Sequence, residues 1–455
     1  MRSPPRNSSL LTLVDAWCSA KMPSGWRPHC LLMIRPVADD EAVTSGGTLE
    51  RRLGLADAVV IGAGSMIGAG VFAAWSPASD AAGTGLIIGL VMAGVVAFCN
   101  AASSAQLAAI HPQSGGTYFY GRRQLGPFWG HLAGWGFVVG KTASCAAMAL
   151  TVGAYLWPEQ DRVVAVGAIV LITAVNIGGL SRTVAVTKVL LVVSVTALAV
   201  VVIGGWSSPD VSLDRLTPLD TDVYGVLQSA GFLFFAFAGY ARIATLGEEV
   251  KDPAITIPRA IPRALAAVLA VYFVVGVTAL AVVPASALAA TAAPLHVVIE
   301  AGRLDALAPV VDIGAGIAAL GVLLNLIPGV SRTSLAMARE RELPHWFAHV
   351  DTTRPLPLRA ELTVAAVVIV LVVVLDLRSA IGISGVAVLT YYAITNAAAL
   401  TLRPEQRRWP ALIAVVGLLG CVTLVAALPP AAILTGAIAL AVGVLVRIAT
   451  RPTRR

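Results

Sequence analysis

Residues 62–72 read Gly62-Ala63-Gly64-Ser65-Met66-Ile67-Gly68-Ala69-Gly70-Val71-Phe72, four glycines within nine positions inside a segment that otherwise reads as an apolar helix. Glycine costs about 1 kcal/mol per residue in a helix interior, so the run predicts a break in that helix. Gly64 and Gly68 also fit the small-xxx-small pattern of closely packed membrane helices, which is the alternative reading. A second interruption, Phe234-Phe235-Ala236-Phe237-Ala238-Gly239-Tyr240, leads through Glu248, Glu249 and Lys251 to Asp252-Pro253.

The surrounding chain sets the context of these breaks. Of 455 residues 57% are hydrophobic and 13% charged, against roughly 25% charged in an average soluble domain, which excludes an ordinary soluble globular protein. Stretches of about 20 apolar residues, enough to cross a ~30 Å hydrocarbon core, occur twelve times. They run over 54–74, 83–110, 128–156, 162–180, 182–206, 223–247, 261–283, 308–335, 360–376, 379–402, 409–427 and 430–447. A backbone in lipid must satisfy its own hydrogen bonds, and the alternation of a membrane barrel is missing, so all should be helices. The two interruptions then fall in the first and sixth spans, the corresponding positions of an inverted five-helix repeat.

The excess of basic residues, a net charge of +7, is spread over short loops, which argues against a nucleic-acid surface and reports topology instead. With the N-terminus inside, 25 of the 32 Lys and Arg fall in cytoplasmic segments or at the cytoplasmic ends of spans, four on the outer side and three deeper within spans. Both termini are therefore expected in the cytoplasm. Residues 1–50 are polar and rich in Pro, Ser and Gly, so they are expected to form a disordered cytoplasmic tail, with Met22 and Met33 as alternative starts. Residues 51–447 are expected to make one twelve-helix membrane domain and 448–455 a short basic cytoplasmic tail. The five cysteines show no metal spacing, and neither a metal nor a cofactor is expected.

Unwound backbone has a chemical use. It exposes N–H groups that bind a carboxylate and carbonyls that take an ammonium, and an amino-acid zwitterion needs both. Intramembrane charges add to this, because an ionisable residue at mid-membrane is costly and is read as functional by default. Lys141 sits near the middle of the third span, roughly 20 Å of helix from either end and out of snorkelling reach, so it serves a ligand, coupling or a structural ion pair. Lys188 lies two turns inside the fifth span, where snorkelling is the alternative to function. Arg242, just past the second break, can pair with Glu248 or Glu249, and Asp57 and Asp312 read as interfacial.

On these motifs the chain resembles the amino acid, polyamine and organocation permease superfamily over nearly all of residues 50–447. The glycine run, the sixth span with Gly247–Pro253 and Ile257–Ala260, His111–Tyr118 after the second span, and Ala336–Arg339 to Leu343-Pro344 after the eighth carry the resemblance. It implies a leucine-transporter-like fold, a 5+5 inverted repeat with broken helices 1 and 6 plus two extra helices, and alternating access around a midplane site. It further implies that Met66, Ile67, Ala69 and Gly70 offer backbone to the substrate. Phe235 would be the aromatic gate, Ala236, Ala238 and Gly239 the facing backbone, and Lys141 a substrate neighbour.

Lys188 matches a lysine that stands where sodium-coupled relatives hold sodium, which implies proton coupling or sodium-independent exchange. Members handling cationic substrates often carry an acid where this chain has Ala241, so a neutral or acidic amino acid is favoured over a cationic amino acid or polyamine. The expected partners are an amino acid, protons and the lipid of the plasma membrane, with no nucleic acid. The oligomeric state is left open. A polytopic membrane enzyme is the competing class, but the chain has no HExxH, and His345 and His349 alone read as a helix face.

Overall fold

The computed structural model describes residues 53–111, 116–178, 184–217, 222–240, 243, 250–350 and 356–450. The expected tail, Arg242, Glu248 and Glu249 lie outside the described residues. Nearly every described residue is helical, and a helix occupies each of the twelve expected positions. Span 1 (Leu55–Ala73) is followed by Trp75–Ala82, span 2 (Leu86–Ile110), span 3 (Pro127–Leu156), span 4 (Asp161–Ile177), span 5 (Val184–Trp206) and span 6 (Val223–Phe237). Span 7 (Pro253–Val282), span 8 (Ala308–Arg339), span 9 (Leu358–Val374), span 10 (Leu377–Leu400), span 11 (Ala411–Ala427) and span 12 (Pro430–Thr450) complete the series.

Among the described residues nine helices are long and apolar enough to cross a membrane, whereas Val223–Phe237 and Ala411–Ala427 are shorter apolar helices. Span 6 is short because its helix stops at the break. Span 7 begins at Pro253, eight residues before the apolar run, because proline is tolerated at a first helical position where no N–H is needed. Asp222 and Asp376 open spans 6 and 10 by accepting the N–H of Gly225 and of Ser379, each at 2.7 Å.

Packing follows the five-span shift that the paired breaks suggest. Span 1 lies on span 7 as span 6 lies on span 2, and span 5 on span 8 as span 10 on span 3. Span 1 meets span 5 as span 6 meets span 10, and span 3 meets span 4 as span 8 meets span 9. Five spans per repeat is an odd number, so the second copy runs through the membrane in the opposite sense. Spans 11 and 12 stand outside the pattern, on spans 10 and 2 and on spans 10 and 3 respectively. The apolar side chains on the outer rim, such as Val163, Val192, Val374, Leu412 and Leu445, are exposed, as a lipid-facing surface requires.

Candidate site at the crossing of two broken helices

Span 1 leaves the helix at Ile67 (φ −75°, ψ 70°) and Gly68 (φ −124°, ψ −153°), and re-enters it at Ala69. The Gly68 N–H turns back to the Met66 carbonyl at 2.8 Å, so it does not reach the Gly64 carbonyl that a continuous helix would have given it. The break predicted from the glycine run is thus present, and close packing is present with it. A Cβ on Gly64 would stand 3.2 Å from the Thr187 methyl of span 5, and one on Gly68 would collide with Val322 of span 8. Both readings of the glycines hold at once.

In span 6 the helix tightens where it ends. Ala238 donates to the Phe235 carbonyl at 3.3 Å, Tyr240 to Phe237 at 3.2 Å and Ile243 to Tyr240 at 2.9 Å, all bonds over three residues. This shortening is the second interruption. The two breaks touch through backbone: a Cβ on Gly70 would lie 2.7 Å from the Ala236 Cα, and one on Gly239 would land on the Ser65 carbonyl and 2.8 Å from the Met66 nitrogen. Only residues without a side chain allow that approach.

Met66, Ile67 and Gly70 are therefore brought together with Ala236, Ala238 and Gly239, and Ala69 opens the second half of span 1 beside them. Lys141 joins them from span 3. Its side chain is buried, and its ammonium donates to the Ala238 carbonyl at 3.3 Å. Among the described residues no carboxylate is within ion-pair distance of it, which leaves the expected structural ion pair without a partner there. Phe235 is buried, in the hydrophobic cluster that also holds residues of spans 3, 4, 8 and 9.

Lys188 stands apart from this group. Its ammonium pairs at 3.1 Å with Asp57, whose side chain is partly exposed, in the first turn of span 1. Ten residues separate Asp57 from Ile67, roughly 15 Å along the helix. Lys188 thus lies on span 5 toward the end of span 1 at which the described chain begins. Asp312 is likewise partnered, accepting from His296 at 2.9 Å.

Two tyrosines complete the site and carry no local signal in the sequence. The Tyr272 hydroxyl of span 7 shares its proton between the Met66 carbonyl at 2.7 Å and the Ala236 carbonyl at 3.1 Å, so one side chain ties both broken helices. Tyr155, at the far end of span 3, donates to the Phe72 carbonyl at 2.8 Å and accepts the Leu295 N–H at 3.2 Å.

The resulting arrangement presents backbone carbonyls, unwound backbone and one buried cation to a shared point between four spans. A family model described as amino acid permease matches residues 53–448. An uncharacterized transporter of Mycobacterium tuberculosis is 57% identical over 412 residues, covering 90% of this chain and 94% of the relative. A chloroplastic cationic amino acid transporter of Arabidopsis thaliana is 26% identical over 386 residues, 78% of this chain and 66% of its own. A branched-chain amino acid permease of Bacillus subtilis is 24% identical over 409 residues, 83% and 86% of the two chains.

Proposed function

The chain belongs to the amino acid permease family, and on that premise we propose that it carries a neutral or acidic amino acid by alternating access, held where spans 1 and 6 break. The contact of the two breaks with Lys141 set against one of them supports this most directly. In this reading the backbone around Met66, Ile67, Ala69 and Gly70 receives one end of the zwitterion. Ala236, Ala238 and Gly239 receive the other, and Phe235 covers it. The ammonium of Lys141 offers a carboxylate its counter-charge and repels a second cation in a medium that screens poorly. That favours glutamate-like or uncharged side chains over arginine, although a relative is named for cationic amino acids.

Lys188 is the coupling group in this proposal. Its contact with Asp57 joins span 5 to the first half of span 1. The direction of coupling, proton symport or sodium-independent exchange, and a plasma-membrane location with both termini in the cytoplasm belong to the same reading.

The test is uptake into proteoliposomes of labelled L-leucine, L-glutamate and L-arginine, empty or preloaded, under imposed proton or sodium gradients. Saturable uptake of leucine or glutamate in preference to arginine, reduced by Lys188→Ala, is the expected result. Uptake driven by sodium alone would overturn the role of Lys188. Preference for arginine would overturn the charge argument, and no uptake of any of the three by folded protein would remove the substrate assignment.

A further inference from the structure

One cavity lined by described residues does not lie at the crossing of the breaks. It lies at the other end of span 1, has a volume of about 290 Å³, and is walled by Ser76 and Asp80 after span 1, Asp161 and Arg162 opening span 4, and Asp376 and Arg378 at the start of span 10. Residues 289–292, from the connection between spans 7 and 8, close its remaining side. At the small end of the ~300–1,000 Å³ pockets that take drug-sized ligands, it has room for one amino acid and little more.

Its charges fall into two groups. Asp376 caps span 10 through the Ser379 N–H at 2.7 Å, Asp161 accepts the Arg162 N–H at 2.7 Å, and the Arg162 guanidinium donates to the Val373 carbonyl at 2.6 Å. The two aspartates serve their own loops, and Arg162 ties the start of span 4 to the end of span 9. Asp80 and Arg378 instead pair with each other from different elements, the second half of the span 1 arm and the start of span 10. The Arg378 guanidinium also lies over the Phe232 ring, 5.6 Å from its centre, and Phe232 is one helical turn before Phe235. Ion pair, aromatic ring and proposed gate thus follow one another toward the crossing.

The Asp80 and Arg378 side chains are 46% and 42% exposed. A pair this open is held weakly, so a competing ligand displaces it at little cost. A carboxylate alone would satisfy Arg378 and strand Asp80, and an ammonium alone the reverse. A zwitterion satisfies both, with its carboxylate on the planar guanidinium and its ammonium on Asp80. We infer that this chamber is a loading site that takes an amino acid by inserting its zwitterionic end into the Asp80–Arg378 pair, before the molecule passes Phe235. The inference rests on the transport reading above.

The experiment uses the purified full chain in detergent with Cys18 and Cys30 changed to Ser and Thr291→Cys placed in the chamber wall; Cys99, Cys145 and Cys421 are buried. The rate of its modification by a charged methanethiosulfonate reagent is measured with 10 mM glycine, acetate or methylammonium. Glycine is expected to slow the reaction at least fivefold and the two single charges to leave it unchanged. Arg378→Ala and, independently, Asp80→Asn should abolish the protection, while Lys141→Met keeps it. Absence of protection by glycine, equal protection by acetate, or protection lost in Lys141→Met and kept in Arg378→Ala would overturn the inference. Because the readout needs no transport, protection without uptake would fault the transport reading, and uptake without protection would fault the loading site.

Discussion

Replacing Lys141 with methionine separates the fold from the function. A lysine at the centre of a membrane helix costs about 3 kcal/mol on insertion scales, and the hydrogen bond it makes to Ala238, long at 3.3 Å, returns about 1.5 kcal/mol, the low end for a charged donor. Lys141→Met keeps the length and fills the same space, so the unfolding free energy should rise by about 1.5 kcal/mol. Uptake should move the other way. Removing one member of a buried charged contact costs at least about 2 kcal/mol, which at 1.4 kcal/mol per decade is a loss of roughly 30-fold in apparent affinity. The assay pairs thermal or denaturant unfolding in detergent with uptake of glutamate and arginine in proteoliposomes, and the arginine-to-glutamate ratio should rise. A variant that is less stable than the parent and takes up glutamate unchanged would show that Lys141 is a structural element, refuting the reasoning.

At the crossing, Gly239→Ala should lower uptake at least tenfold in protein that still folds, because its Cβ meets the backbone of Ser65 and Met66, which cannot rotate away. Gly329→Ala, with open space around it, is the control that should leave uptake unchanged. Glu342, just past span 8, is buried and meets His131, Arg122 and Arg447; burial raises its carboxyl, but the approach of His131 and Tyr118 and the charge of Arg447 outweigh this and hold it below the usual range. A carboxyl so lowered adds stability above its unfolded value, about 4.3, that is lost as pH falls through the folded value. Unfolding midpoints should therefore be flat from pH 5 to 7 and drop below pH 4. Glu342→Gln should cost about 3 kcal/mol at pH 7 and flatten that drop.

How much of this was legible in the sequence depended on whether the signal was local. Span positions come from runs of apolar residues, and the break in span 1 from four glycines in nine positions, so both are readable in one window. The same holds for Lys141, whose distance from either helix end excludes snorkelling. What the glycines face is not local. Gly239 is specified by Ser65, and Gly62 by Ile243, each across more than 170 residues. Tyr272 reaches carbonyls 206 and 36 residues away, and nothing in its own apolar neighbourhood distinguishes it from a residue facing lipid. The chamber is harder still, since its walls come from four separate connections between spans and from span 3. The start of span 7 was misplaced by eight residues for a different reason. An apolar window does not see the polar turns that Pro253 opens, although they are helical.

The charged contacts around span 1 suggest why the break is useful. Its two halves are joined through Ile67 and Gly68 alone, so each can pivot with little change elsewhere. Lys188 fastens the first half to span 5, and Arg378 fastens the arm beyond the second half to span 10. Both pairs are exposed, and each is therefore worth roughly 0–1 kcal/mol, close to the thermal energy. At the centre the ties are buried: Tyr272 on Met66 and Ala236, and Lys141 on Ala238. Weak fastenings at the two ends and buried ones in the middle suit the alternating access proposed above. Reversing that order would produce a rigid barrier or a leak. A transporter that must never be open to both sides needs its least costly motions at the faces, and the burial of these four contacts distributes them in that way.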